Sequence, residues 1–293
     1  MLRHVLVASA GALLLLTYAI GSGAEAPAVV ETSSSYRYQV TLEKSPSVDA
    51  SAYLVADIDS GEVLLASTTS IPYPLASVTK LLVASAIMTV PGDATTTITE
   101  ADVAAPEPFG KLAVGEVYTL RELMFPYLLE SSNDAGLAIE RLGGQPLKTA
   151  LAAVMDRQPM LTLADTTGLS AENTASADAL LAAVRHVWQE NRYIFDVTAL
   201  PQYTTPYSVL MNNSPVHGWE GYRGGKHGYT PEANRTVVAV FATPFADGPR
   251  NLVYIVLGTS NIPDTLRTVR TLVDEAVTRI PETSGILPAS SVE

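Results

Sequence analysis

The hydrophobic pattern of the chain changes period three times. Ser51-Ala-Tyr-Leu-Val-Ala-Asp-Ile-Asp59 and Glu62-Val-Leu-Leu-Ala-Ser67 are rich in strand formers and flank the turn residues Ser60-Gly61, which predicts a hairpin. From Ser77 to Met88 the apolar residues Leu81, Leu82, Ala84, Ile87 and Met88 recur at helical spacing. A helix is predicted over Thr119–Leu129, with Thr119 as N-cap, Glu122 three residues on as its capping-box partner, and Pro126 shortening or kinking it. Further helices are expected at Ala135–Leu142, Pro146–Met155 and Ser176–Trp188. Strand character returns in Thr236–Thr243 and Leu252–Leu257. Pro263–Ile280 then closes with an amphipathic helix striped by Leu266, Val269, Leu272, Val273, Ala276, Val277 and Ile280. Strands, a long helical block, strands and a final helix together suggest one sheet built from both chain ends. The sheet lobe would take about 48–75 and 215–281, and a helical lobe, about 76–214, would be inserted between. An active site belongs at the seam of two such lobes.

The ends read differently. A short basic start, Met1-Leu-Arg3-His4, precedes an uncharged apolar run from Val5 to Ile20, and Ala24-Glu25-Ala26 has the shape signal peptidase favours. Residues 1–26 are therefore expected to be a signal peptide or an N-terminal anchor, and the remainder to be exported to the periplasm or the extracellular cell envelope. Residues 27–47, rich in Ser, Thr and Pro, read as a flexible linker, and 282–293 as a tail.

Composition narrows the chemistry. A net charge of −12 and a pI near 4.8 exclude nucleic acid as a partner, because polyanion binding needs clustered Lys and Arg. The absence of Cys removes thiolate nucleophiles, Cys-ligated zinc and disulfides. Lysine is scarce: only Lys44, Lys80, Lys111, Lys148 and Lys226.

Two of those lysines sit in suggestive surroundings. Ser77-Val-Thr-Lys80 puts a hydroxyl and an amine on one helix face, and a lysine of depressed pKa can serve as base for a serine nucleophile. As a lone pair it reads equally well as a surface i,i+3 contact. Ser131-Ser132-Asn133 follows 54 residues after Ser77, and Gly224-Gly-Lys226-His227-Gly228-Tyr229-Thr230 begins the third cluster, its Lys226 standing 93 residues after Asn133. Alone, the first is a polar turn and the second a glycine-rich turn ahead of a strand. His217-x-x-Glu220 with His227 is weak evidence for a metal, and no metal or other cofactor is expected.

In this order and spacing the three clusters resemble the Ser-x-x-Lys, Ser-x-Asn and Lys-Thr-Gly motifs of penicillin-recognising serine peptidases and β-lactamases. The likeness is greatest to the D-alanyl-D-alanine carboxypeptidases of the low-molecular-mass penicillin-binding proteins. It is supported by Asp57-x-Asp59-x-Gly61, Gly168-Leu169 and Ser176-Ala177-Asp178, and it spans about residues 48–281. The resemblance implies an α/β (α+β) fold, an antiparallel sheet flanked by helices with an inserted all-helical lobe. It implies Ser77 as acylated nucleophile, Lys80 as base, Ser131 as proton relay, and Asn133 and Lys226 as partners of substrate and lysine. The backbone N–H groups of Ser77 and Tyr229 would form the oxyanion hole, and His227, Gly228 and Thr230 would contact substrate. Peptidoglycan stem peptides would be the substrate and β-lactams covalent inhibitors, with an N-terminal membrane tether as a further option.

His227 departs from the usual Thr, which ordinarily meets the substrate's terminal carboxylate. A histidine there is expected to keep that contact and to steepen the pH dependence of activity. A second carboxylate partner, often an Arg, has no evident position, Arg223 being the nearest in sequence. Three alternatives stay open: a non-catalytic peptidoglycan-binding relative, a DD-endopeptidase and a β-lactamase. The last is disfavoured because no Glu-x-x-Leu-Asn stretch supplies a deacylating base; the region reads Ala164-Asp-Thr-Thr-Gly168-Leu169.

Overall fold

The computed structural model describes residues 46–106, 110–245 and 248–279, and a separate N-terminal hairpin in which Arg3–Ser9 pairs antiparallel with Ala12–Tyr18. Most of the expected linker, the end of the last helix at Ile280 and all of the expected tail lie outside these residues. Five strands make the main sheet: β1 (Ala52–Asp57), β2 (Val63–Ser67), β3 (Tyr222–Thr230), β4 (Asn234–Thr243) and β5 (Arg250–Thr259). Their order is β3-β4-β5-β1-β2, every pairing antiparallel, so the sheet joins both ends of the domain and β3 is an edge. The Gly/Lys/His segment expected ahead of a strand is itself that edge strand. Its glycines weaken a strand signal because they contribute no side chain to pack.

The sheet is covered on both faces, which explains why the central strands read as continuous apolar runs. Leu54, Ala56, Val238, Val240, Val253 and Ile255 pack against the helical block, while Tyr53, Val55, Val237, Ala239, Tyr254 and Val256 meet α6 (Ile262–Arg279). Of the α6 stripe expected from sequence, Val269, Leu272 and Ala276 are fully buried and Leu266 and Val273 pack beside them, whereas Val277 is exposed.

The helical block begins with a 3-10 turn, Ala76–Val78, that runs into α1 (Thr79–Met88). Every α1 residue from Thr79 to Ile87 is buried, so this is an interior helix without a polar face, and Lys80 is carried inside with it. Then follow α2 (Met124–Leu129), α3 (Asn133–Asp156), α4 (Ala177–Glu190) and α5 (Tyr193–Ala199). The capping box at Thr119 forms as expected, with Glu122 N donating to Thr119 Oγ1 (3.1 Å) and Thr119 N to Glu122 Oε2 (2.7 Å). The helix itself, however, starts only at Met124. That start puts Pro126 in the first turn, where its missing N–H costs no intrahelical bond. The two helices expected on either side of residue 144 are the two arms of α3, broken at Gly144 (φ 49°, ψ −140°). Ser132 and Ser176 cap α3 and α4 by accepting from Ala135 N and Ala179 N.

One contact ties the sheet to the start of the block. The buried Thr236 hydroxyl, on β4, donates to Leu75 O at 2.8 Å, two residues before Ser77. Thr236→Val keeps the shape and removes the bond. It should cost about 1 kcal/mol in denaturant unfolding and slow acylation of Ser77; unchanged values of both would show that this bond does not position the turn.

Candidate active site

The site grows from a buried lysine. Lys80 is wholly inaccessible, and its Nζ lies 2.9 Å from Ser77 Oγ and 2.9 Å from Asn133 Oδ1, with Thr167 O as a third acceptor. These three acceptors come from the turn before α1, the first residue of α3, and the loop after α3. The Tyr127 ring closes the lysine's surroundings at 5.5 Å from Nζ, and the Tyr127 hydroxyl holds Thr166 O. Burial, then the nearby Asp165 and Glu140, push the Tyr127 phenol well above its ordinary range, so it stays neutral.

The loop that supplies Thr167 O is held by Asp165. Its carboxylate accepts from the backbone N–H groups of Thr167 (2.7 Å), Gly168 (2.6 Å) and Ser170 (2.7 Å) and from the Thr167 hydroxyl (2.9 Å). Burial alone would raise its pKa; the bonds from Ser170, Gly168 and Thr167 outweigh it and hold the group below the usual carboxylate range. Gly168, at φ +82°, lies so close to the Ser77 turn that a Cβ there would stand 2.4 Å from Ala76 O. On the opposite side Gly228 is just as tight, its ideal Cβ falling 2.5 Å from Ser77 N. The backbones of β3 and the Ser77 turn therefore touch, and only glycine permits it. Two non-glycine residues at the site, Ala76 (φ 48°) and Ser131 (φ 64°), take left-handed conformations, a strain of about 1–3 kcal/mol each that clusters at functional sites.

Ser77, Ser131, Asn133, His227, Gly228 and Tyr229 line one cleft of about 300 Å³, together with Leu169, Asn213, Arg235 and Ile262. Lys226 lies beside it, almost wholly buried, its Nζ donating to His227 O at 2.8 Å. Burial, and after it the charge of Lys80, hold Lys226 well below the ordinary ammonium range. No carboxylate is among the described residues that line the cleft, so its field is cationic inside an acidic chain.

Several expectations change at this level. Thr230 was expected to contact substrate, but it is buried and its hydroxyl accepts from Ala233 N (3.1 Å) in the turn to β4. Arg223 is exposed beside an irregularity in the β3–β4 register and does not line the cleft. Arg235 does. It stands directly across the strand pair from Tyr229, its guanidinium 4.4 Å above that ring, and its Nε is buried without a hydrogen-bond partner. No motif marks it in the sequence: the tight β3–β4 turn at 231–233 and the register it sets bring residue 235 opposite residue 229. Asn213 and Ile262, also unforeseen, reach the cleft from segments with no motif of their own. His217 is turned to Ser214 O, and among the described residues no three His, Asp or Glu side chains converge as metal ligands.

His227 lines the cleft, while its Nδ1 is enclosed and lacks a partner. Burial first, then Lys226, Arg235 and Lys80, hold its pKa well below the usual 6.5. The expected steepening of activity with pH therefore has no basis in this geometry, since the ring is already neutral near pH 7.

Known proteins resemble this chain in sequence and in fold. The profile of the D-alanyl-D-alanine carboxypeptidase family matches residues 39–261. The D-alanyl-D-alanine carboxypeptidase DacB2 of Mycobacterium tuberculosis is 28% identical over 218 residues, 67% of this chain and 72% of that protein. Among solved structures, a D-alanyl-D-alanine carboxypeptidase of M. tuberculosis superposes with a TM-score of 0.73 at 24% identity, covering 83% of this chain and 96% of its own. The cefotaxime-bound penicillin-binding protein D2 of Listeria monocytogenes gives 0.68 at 18%, over 80% and 99%. A point mutant of the Streptomyces K15 DD-transpeptidase gives 0.71 at 18%, over 80% and 99%. A profile that spans three quarters of the sequence and a cleft built around Ser77 and Lys80 lead to one conclusion: the chain belongs to the D-alanyl-D-alanine carboxypeptidase family and is a serine hydrolase of that class.

Proposed function

We propose that Ser77 removes the terminal D-alanine of peptidoglycan stem peptides through an acyl-enzyme, and that Lys80, Ser131, Asn133 and Lys226 serve that step. The observation that carries the assignment is the 2.9 Å contact between Ser77 Oγ and a wholly buried Lys80 Nζ. Lys226 beside it is held below the ordinary ammonium range by burial and then by Lys80. With its amine neutral, Lys80 takes up the Ser77 proton as Oγ attacks the D-Ala carbonyl carbon. The N–H groups of Ser77 and Tyr229 receive the oxyanion, the C–N bond breaks, and Ser131 returns a proton to the departing amine. Water then cleaves the ester and restores Ser77. Asn133, fixed by its bond to Lys80, offers its amide N–H to the substrate backbone.

Arg235 and His227 complete the cleft as the anchor for the terminal carboxylate. Arg235 brings a charge and a buried, unpartnered Nε–H; His227 brings a neutral ring that can donate one hydrogen bond. Localisation follows the N-terminal pattern: an apolar leader exports the chain to the cell envelope, with cleavage after Ala26 as the simplest route. Among the described residues no helix is long and apolar enough to cross a membrane.

Four outcomes are expected. Fluorescent penicillin should label the protein and not Ser77→Ala; an unlabelled parent would favour a non-catalytic binding role. With no carboxylate lining the cleft and Asp165 committed to its own loop, the penicilloyl-enzyme should persist for many minutes; rapid nitrocefin turnover would make the protein a β-lactamase. Arg235→Ala should raise KM about 10–100-fold for peptides ending in a free carboxylate, the loss of one charged hydrogen bond, and far less for the C-terminal amide; equal loss on both would refute the anchor.

His227 supplies the fourth. Because its folded pKa is depressed, the unfolded chain takes up a proton below about pH 6.5 that the folded chain refuses. Its contribution to stability is thus present above that value and lost progressively as pH falls below it, toward the depressed folded pKa. His227→Thr should shrink the fall in melting temperature between pH 7 and 5, and should leave the shape of the acylation profile from pH 6 to 8 unchanged. A profile that flattens on substitution would mean the ring does titrate in that range.

A further inference from the structure

The Ser131 side chain is aimed by its backbone alone. Its hydroxyl lines the cleft and makes no hydrogen bond among the described residues. The main chain that directs it is left-handed (φ 64°), a conformation a serine keeps only where its surroundings over-determine it.

Those surroundings hold Ser131 from both sides. Pro126 O accepts from Glu130 N (3.3 Å) and from Ser132 N (3.1 Å), so one carbonyl straddles the strained residue. Glu130 O accepts in turn from the Asn213 amide (2.7 Å). Ser132 is wholly buried; its hydroxyl donates to Gly110 O while accepting from Ala135 N (3.0 Å). Gly110, at φ +62°, lies against both flanking residues. A Cβ there would stand 2.7 Å from Ser132 Cβ and 3.0 Å from Glu130 Cβ. Two residues on, Leu112 N donates to Asp134 Oδ2 (3.2 Å) in the first turn of α3. Asp134 is buried, and Lys111 Nζ stands 4.0 Å from its other oxygen. The 110–112 segment is thus fastened at residues 132 and 134 and presses on residues 130 and 132.

Capping α3 does not require all of this. A cap needs only the acceptor side of the Ser132 hydroxyl, so the bond it donates to Gly110 O serves something else. What that bond fixes is the residue before it, Ser131. A proton donor displaced by an ångström loses much of its effect on the transition state. We propose that the 110–112 segment is a clamp on Ser131, and that Ser132 and Asp134 are positioning residues which aim the Ser131 hydroxyl at the departing nitrogen. The inference deepens the relay role proposed for Ser131 and rests on it.

The test separates the clamp from the helix cap. Asp and Asn have one shape and either can accept from Ala135 N, but only Asn can also donate to Gly110 O. For the full chain, kcat/KM is measured on a D-Ala-D-Ala peptide and on the matched thioester, in which sulfur replaces the leaving nitrogen and departs as a thiolate without needing a proton. Ser132→Asp should lose about tenfold on the peptide and less than about twofold on the thioester, whereas Ser132→Asn should keep both within about threefold. Asp134→Ala against Asp134→Asn repeats the comparison at Leu112 N, since only Asn keeps an acceptor there. That pair decides if the Ser132 variants melt below the assay temperature. Equal loss on peptide and thioester, or no difference within the pair, would overturn the inference. Ser131→Ala must itself show the peptide-selective loss; if it loses both activities alike, the relay role falls, and the inference with it.

Discussion

The structure around the site depends on one buried lysine amine. A polar group removed from water costs several kcal/mol unless polar partners replace its hydration shell. Lys80 meets this demand by drawing acceptors from three separate segments: Ser77 Oγ, Asn133 Oδ1 and Thr167 O. Each acceptor is there because its segment is independently fixed. Ser77 follows the turn tied to β4 by Thr236, Asn133 begins a helix capped by Ser132, and Thr167 sits in a loop wrapped around Asp165. The catalytic constellation and the solution to a burial problem are thus the same set of contacts. An error in any one segment would leave the lysine under-solvated, which couples the precision of the site to the stability of the lobe.

Close backbone approach is the second requirement. Gly168 and Gly228 press on the Ser77 turn from two directions, and neither position has room for a Cβ. Ala76 and Ser131 absorb left-handed conformations in the remaining space. Such strain is tolerable because the central strands and α1 are buried and closely packed. Gly228 acts less as a flexible hinge than as an absence, a place where a side chain would push the edge strand away from Ser77.

Much of this was legible in the residues and some was not. The hairpin β1–β2, strands β4 and β5, the α6 stripe and the helices α1, α3 and α4 follow from periodicity because each buries a regular set of apolar positions. Strand β3 was hidden since Gly224, Gly225 and Gly228 erase its alternation, and its place is set by pairing with β4 rather than by its own propensity. Helix α5 is too short for a period to emerge. The motif residues were recognisable by spacing, whereas Arg235 was not: its meaning arises only when the β3–β4 register sets it across from Tyr229. The neutral state of His227 was equally out of reach, because it depends on burial and on three cations that the chain brings from positions 80, 226 and 235.

That convergence also resolves the charge of the chain. A net charge of −12 describes a surface, and it keeps the protein away from polyanions. The cleft inverts it by excluding carboxylates from its lining while enclosing Lys80 and Lys226 and admitting Arg235. Asp165, four residues before the cleft-lining Leu169, is kept out of this field by its own loop, its carboxylate saturated by backbone N–H donors. An acidic group free to activate water would speed deacylation but would also neutralise the field that attracts and holds a substrate carboxylate. The geometry favours the field, and under the proposed mechanism the acyl-ester would be cleared without a dedicated carboxylate base.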